Sequence, residues 1–228
     1  DLAMELNVLG LINIQFAYKG GKIYVLEVNP RASRTIPFVS KTTNVPLARI
    51  AAQIATGKKL KDFNLPSWDM INHVSVKEAV LPFNKFPEES IFLSPEMKST
   101  GEVMGISKTF GESFKRAIIS SGNKIFYKGT VFFSVNNPDK LNAIPIARDL
   151  QELGYKIVAT DGTSLELNRN GIPSKTVFKV GEGRPNILDH IMNNEIQMVI
   201  NTPLGSKSRY DEEAIGRACI QKGILAIT

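Results

Sequence analysis

Cysteine, histidine and tryptophan are scarce in this sequence. A single cysteine, Cys219, in 228 residues excludes a disulfide framework and a zinc site built from several cysteines. It falls among apolar residues of an amphipathic segment, so we expect it in the core and not in catalysis. The two histidines, His73 and His190, lie far apart in the chain and are expected to be structural, and Trp68 and Phe83 to be ordinary packing aromatics.

Long apolar runs and dense basic arms are also absent. No stretch approaches the roughly 20 apolar residues of a membrane span, and nothing at Asp1 reads as a secretory leader. The net charge of +6 is spread along the chain, which disfavours a nucleic-acid partner and suits anionic small molecules. We therefore expect a cytoplasmic protein without membrane contact, and a piece of a longer chain.

The sequence does contain enough apolar residues for a core, since 43% are hydrophobic and 22% are charged. Its length corresponds to one large or two small domains. Polar residues interrupt the pattern near position 121, so we predict one domain over residues 1–121 and a second over residues 122–228.

The first domain is predicted to open with a β-hairpin over residues 10–28. The paired glycines Gly20 and Gly21 between two β-rich runs supply the positive φ of a tight turn, and Pro30 ends the second strand. The other predicted elements are a loop over 31–37, a helix over 46–56, a strand over 74–81, a structured loop over 82–101 and a helix over 110–120.

The second domain alternates strands with helices, which predicts a doubly wound parallel sheet and an α/β fold class after an α+β first part. Such sheets bind ligands at the carboxyl ends of their strands. Strands are predicted over residues 130–135, 155–160, 176–179, 198–201 and 223–227. Helices are predicted over residues 138–153, 164–170, 186–193 and 211–222.

A candidate metal site lies on the hairpin. Glu27 and Asn29 are two apart on a strand, so both side chains leave the same face, and Gln15 on the partner strand could join them. Carboxylate and amide oxygens suit Mg²⁺ or Mn²⁺. A two-residue turn alone would put Gln15 and Glu27 on opposite faces, so a metal site requires a three-residue turn or a bulge. An exposed strand face is the alternative interpretation.

Two arginines, Arg31 and Arg34, follow within one loop. Guanidinium groups beside a metal suit phosphoryl transfer, where charge spreads over the transferring oxygens.

A second candidate site collects residues at strand ends and helix starts. Hydroxyls, amide groups and lysines in such positions can form a phosphate cup. The alternative is that the threonines only cap a helix while the lysines are solvated. The candidate residues are Lys140, Thr160, Thr163, Lys179, Asn201 and Thr202.

Residues 10–58, GLINIQFAYKGGKIYVLEVNPRASRTIPFVSKTTNVPLARIAAQIATGK, resemble the carboxyl part of an ATP-grasp domain. Residues 74–106, VSVKEAVLPFNKFPEESIFLSPEMKSTGEVMGI, are similar more specifically to the carbamoyl-phosphate synthase large chain. Residues 125–228 resemble the methylglyoxal-synthase-like domain that ends the same large chain. The resemblance covers essentially the whole sequence, in the family's order.

This resemblance implies an ATP-dependent ligase that phosphorylates carbamate to carbamoyl phosphate for arginine and pyrimidine biosynthesis. It implies that Gln15, Glu27 and Asn29 bind Mg²⁺ or Mn²⁺ bridging the ATP phosphates, and that Arg31 and Arg34 contact phosphate and the carboxyphosphate or carbamate reactants. The chain alone, as the end of one ATP-grasp domain, is expected to be inactive.

The resemblance also implies allosteric regulation. Residues of the second candidate site match those that hold UMP or IMP in some members, and Glu78 matches an ornithine-contacting carboxylate. Pro203 removes a hydroxyl found in some members, Leu225 stands where some carry tyrosine, and the ornithine region is cut off near Thr228, so the effector stays open. A glutaminase small subunit and oligomerisation of the full-length protein are the implied partners.

Three alternatives remain. The chain could be an effector-binding module without catalysis, or another ATP-grasp carboxylate–amine ligase, against which residues 74–106 argue. A lyase like methylglyoxal synthase would need a carboxylate base, and Asp161 is the only acid that the sequence places in the cup.

Overall fold

The computed structural model describes residues 1–67, 69, 71–83, 85–86, 89–204 and 206–228, with only the backbone of 206–209. Trp68, for which we expected a packing role, lies outside the described residues. The chain divides into two compact units, residues 1–77 with 104–117, and residues 78–103 with 118–228. The domain boundary predicted near residue 121 stays a prediction. Each unit is described by itself.

The first unit contains the predicted hairpin, formed by β1 (Asn13–Lys19) and β2 (Lys22–Asn29). Gly20 and Gly21 form the turn with φ of 58° and 77°. The antiparallel register pairs Phe16 with Val25 but Gln15 with Glu27, so one residue of β2 is bulged out. The bulge reverses the side-chain alternation beyond it, as the metal hypothesis requires.

Helices and a second strand pair complete the amino-terminal half. Strands β3 and β4 form a two-stranded sheet. The loop predicted over 31–37 is wrong in its second part, because α2 begins at Thr35, and β4 was not predicted. The elements are α1 (Leu2–Glu5), α2 (Thr35–Thr43), α3 (Leu47–Ala55), β3 (Val74–Val80), β4 (Gly101–Ser107) and α4 (Phe110–Ser120).

The second unit is built on a five-stranded parallel sheet in the order β7-β6-β5-β8-β9. The predicted doubly wound architecture is confirmed. The strands are β5 (Thr130–Val135), β6 (Lys156–Ala159), β7 (Ser174–Thr176), β8 (Met198–Thr202) and β9 (Leu225–Ile227).

Helices cover both faces of this sheet. One core cluster packs α5 and α6 against Phe133 and Ile157, and the other packs α7 and α8 against Phe132 and Val199. Helices α6 and α8 begin earlier than predicted, and β7 ends three residues before the predicted strand end. The helices are α5 (Lys140–Glu152), α6 (Asp161–Arg169), α7 (Ile187–Met192) and α8 (Ser206–Lys222).

Candidate functional site

A cavity of about 170 Å³ lies at the carboxyl edge of the parallel sheet. It opens between the ends of β5 and β8, where the strand order reverses. Four of the six residues predicted for the phosphate cup line it, and two do not. The cavity is lined by Phe132, Ser134, Val135, Asn136, Thr160, Lys179, Ile187, Asn201, Thr202, Pro203, Leu204, Asp211 and Ile215.

The strand ends hold the uncharged part of the cavity wall. Thr160 is 4% exposed and Asn201 is 6% exposed, and both line the cavity. The Thr202 hydroxyl accepts a hydrogen bond of 3.1 Å from the Asn136 backbone N–H, which ties the end of β8 to the residue after β5. This part of the wall is therefore rich in hydrogen-bonding groups.

The two threonines at the start of α6 differ in role. Thr160 is the N-cap residue, yet its side chain makes no capping hydrogen bond; its hydroxyl donates to that of Thr163 over 3.3 Å. The Thr163 hydroxyl bonds the Val135 N–H and C=O at 3.3 and 3.4 Å. Thr163 therefore holds α6 against β5, and only Thr160 lines the cavity.

Lys140 is the first residue of α5 and reaches the start of α6. Its Nζ lies 3.0 Å from the point that a Cβ atom would occupy on Gly162. Two helix N-termini and an ammonium group are thus close together, and each favours an anion. Lys140 itself is not among the residues lining the cavity.

Lys179 was predicted to end the third strand, and this is wrong. Strand β7 ends at Thr176, because the backbone leaves the sheet after Val177 bonds to Ala159. Lys179 instead lies in the loop before α7, half-exposed, and still borders the cavity.

Sequence reasoning missed the acid in this cavity. Asp211, on α8, lines the cavity, whereas the sequence pointed only to Asp161. Burial raises the pKa of Asp211 above its ordinary value, Lys179 lowers it and Glu182 raises it. One feature of the sequence could have identified Asp211 as a cavity residue: it stands at the predicted start of the last helix, which follows the fourth strand.

The hairpin residues predicted to bind a metal meet at one carboxylate. The side-chain amides of Gln15 and Asn29 donate hydrogen bonds of 2.7 and 2.8 Å to Oε1 of Glu27. Turning either amide by 180° would place its oxygen, in place of its nitrogen, beside Glu27 Oε1. The two amide oxygens and the carboxylate would then suit a hard cation. Among the described residues no group of three or more His, Cys, Asp or Glu could hold a metal ion. Glu27 is the only acid among the three residues predicted for this site.

The arginines follow β2 directly. Arg31 bonds its backbone N–H to the Asn29 carbonyl and its guanidinium to the Ala32 carbonyl, at 2.8 and 3.0 Å. Arg34 is the N-cap residue of α2. Glu78 lies on β3 and is partly buried, so it is less exposed than an ordinary charge on a strand face.

The remaining single residues have structural surroundings. Cys219 is 1% exposed, and burial raises the pKa of its thiol to about 12. His73 Nε2 lies 2.9 Å from the Thr42 carbonyl, and His190 Nδ1 lies 2.5 Å from a Glu195 carboxylate oxygen. No helix in the described ranges has the length and apolar character needed to span a membrane.

Two family descriptions match the chain, and they define a class of protein. Residues 1–63 match "Carbamoyl-phosphate synthase L chain, ATP binding domain", and residues 142–228 match "MGS-like domain". The chain thus joins part of an ATP-binding domain to a methylglyoxal-synthase-like sheet.

Comparison with individual relatives shows which protein family within this class the chain resembles. The carbamoyl phosphate synthase large chains of Acidobacterium capsulatum and Archaeoglobus fulgidus are each 51% identical, and that of Nostoc sp. is 48% identical, over all of this chain. The chain belongs to the carbamoyl phosphate synthase large chain family. It spans about a fifth of the length of these relatives, 21% in each case.

Proposed function

We propose that this chain is part of an enzyme that phosphorylates carbamate to carbamoyl phosphate with ATP, in the cytoplasm, for arginine and pyrimidine biosynthesis. The relatives named as large chains and the ATP-binding-domain match support this. Because the match covers only residues 1–63 of this chain, we expect the chain by itself to make no carbamoyl phosphate. An ATP-dependent synthesis assay tests this, and robust product formation would contradict it.

In this proposal the hairpin would hold a divalent metal for ATP. Gln15, Glu27 and Asn29 would hold Mg²⁺ or Mn²⁺, which neutralises charge on the phosphates when bound. Their convergence on one carboxylate oxygen supports the assignment. Arg31 and Arg34 would orient the phosphoryl oxygens and the carbamate through their planar guanidinium groups.

The second unit is proposed to be a regulatory site for a nucleoside monophosphate such as UMP or IMP. The observation that carries this is the cavity at the switch point of the sheet, where Thr160, Lys179 and Asn201 converge. Buried hydroxyl and amide groups can bond a phosphate and a ribose, and Lys179 supplies the countercharge. Lys140 and Thr163 do not line the cavity, and they would support the site through their contacts at the start of α6.

Titration calorimetry of this chain with UMP, IMP and ornithine tests the regulatory proposal. We expect binding of at least one nucleotide, and Lys179→Ala should weaken it at least about tenfold, the range of charge-assisted contacts. Lys175→Ala is the matched control, since Lys175 lies on β7 and does not line the cavity. Absence of heat with every nucleotide would refute the proposal.

Two kinds of protein partner are proposed from the family resemblance. The full-length enzyme would bind a glutaminase small subunit, and it would form an oligomer. Glu78 is proposed to contact ornithine, because a carboxylate suits the ammonium of that side chain, and its partly buried place on β3 supports this.

A further inference from the structure

Lys179 is held beside a carboxylate by its own loop. The Lys179 backbone N–H donates to Glu182 Oε2, and the Glu182 N–H donates to the Lys179 carbonyl, both at 3.2 Å. Gly181, at φ 84°, allows this tight turn. The Glu182 carboxylate therefore has a fixed place next to the cavity lysine.

The loop that carries this pair is anchored at both ends. The Ile187 N–H donates to the Phe178 carbonyl over 3.0 Å, and a Cβ on Gly183 would lie 3.0 Å from the Phe178 ring. Gly183 thus packs directly against the Phe178 side chain, and the two ends of the loop are joined by a hydrogen bond. Glu182 is consequently held beside Lys179, which lines the cavity, although Glu182 itself is half exposed.

The ion pair itself is weak. Lys179 Nζ lies 3.9 Å from Glu182 Oε1, and the two side chains are 49% and 51% exposed. Pairs of this kind contribute little to stability, so an incoming anion can take over the ammonium group. The negative charge of Glu182 stays in place, and Asp211 adds a second carboxylate that lines the cavity.

We propose that Glu182 is a specificity determinant that admits a phosphate monoester and rejects ligands carrying further phosphates. This inference rests on the proposed regulatory function. One phosphate can be matched by Lys179, Thr160 and the nearby Lys140. Each further phosphate adds negative charge near Glu182 and Asp211, so the repulsion grows with every phosphate beyond the first.

Calorimetric titration with UMP and UTP, without divalent metal, tests this on the intact chain. The wild type should bind UMP at least about tenfold more tightly than UTP. Glu182→Gln keeps the shape and removes the charge, so it should strengthen UTP binding about tenfold and change UMP binding less than about threefold. Glu152→Gln, at the far end of α5 from Lys140, is the control and should change neither affinity.

The outcomes separate the two proposals. If the wild type binds UMP but Glu182→Gln leaves the UMP-to-UTP ratio unchanged, the specificity role is wrong and the regulatory site stands. If the wild type binds neither UMP nor UTP, this inference fails, and the regulatory proposal fails as well only when IMP also gives no heat. Glu182→Ala, checked by circular dichroism, repeats the test should the glutamine variant fold poorly.

Discussion

At the scale of single residues, the missing Cβ of Gly162 leaves room for the Lys140 ammonium group at the start of α6. An alanine there would place its methyl 3.0 Å from Lys140 Nζ. The flexible lysine can move away, so the fold survives, and alanine is a better helix former than glycine. We predict that Gly162→Ala raises the melting temperature while weakening UMP binding severalfold.

A thermal melt of Gly162→Ala measures the expected rise in melting temperature, and calorimetry of the same variant measures the expected loss of UMP affinity. Gly111→Ala provides a matched control, because Gly111 also lies early in a helix, α4, and nothing surrounds its added methyl within 4 Å. Unchanged UMP affinity in Gly162→Ala would show that Lys140 does not act at this site.

Asp211 makes stability depend on pH. Its pKa in the folded protein is raised above 3.8, chiefly by burial. The folded state thus holds the proton more tightly than the unfolded chain, and stability falls as pH rises through the window above 3.8. At neutral pH the ionised carboxylate destabilises the fold, and the cost vanishes below that window.

We therefore predict that Asp211→Asn is more stable than the wild type at pH 7 and equally stable near pH 3.5. Urea unfolding at several pH values measures the difference, with Asp149→Asn, exposed on α5, as control. A variant no more stable at pH 7 would contradict the raised pKa. A site that costs stability is typical of ligand binding.

At the scale of elements, β4 and α4 pack with no room for a side chain between them. A Cβ on Gly105 would overlap the Ser113 carbonyl oxygen and lie 2.6 Å from the Ala117 nitrogen. Both are backbone atoms of α4, so only a shift of the helix could relieve the clash. We predict that Gly105→Ala destabilises the protein by about 3 kcal/mol, the upper range for overpacking.

Urea denaturation followed by circular dichroism measures this effect, and Gly111→Ala in α4 serves again as control because its added methyl meets open space. A Gly105→Ala protein as stable as the wild type would mean that β4 and α4 do not approach this closely.

Elements with strong periodic patterns were predictable, and those set by tertiary context were not. The hairpin, α3 and the strand–helix alternation follow from local signals. Helix α2 was missed because threonine, proline and valine are poor helix formers, although Pro37 is tolerated in the first turn. The bulge in β2 was predicted only as one of two features that a metal site would require. The sequence did not show that it was present, since register depends on contacts with the partner strand.

At the scale of the whole molecule, the described core clusters all lie within residues 131–224. The hairpin, by contrast, exposes large side chains, with Tyr18 at 74% and Ile23 at 70%. The positions of Thr160 and Asn201 at predicted strand ends were enough to identify them as cavity residues, because parallel strands bring their carboxyl ends together. Asp211 escaped prediction because α8, a helix distant in sequence from Thr160, brings it to the cavity.

Cys219 offers a reporter for the sheet domain, because it is the only cysteine of the chain. It lies in the core on α8, the helix that also carries Asp211 and Ile215 to the cavity. Burial raises its pKa from 9.0 to about 12. The Cys219 thiolate, which must attack the sulfur of a disulfide reagent, can therefore react only after this layer opens.

We predict that UMP slows Cys219 labelling by the factor 1 + [UMP]/Kd, about tenfold at nine times Kd, because the ligand binds only the closed state. Labelling with a chromogenic disulfide at pH 8 measures the rate, and Lys179→Ala at the same UMP concentration should lose the protection. If calorimetry detects UMP binding but the labelling rate is unchanged, the nucleotide occupies a place whose binding does not depend on α8, and the cavity at the switch point is not the regulatory site.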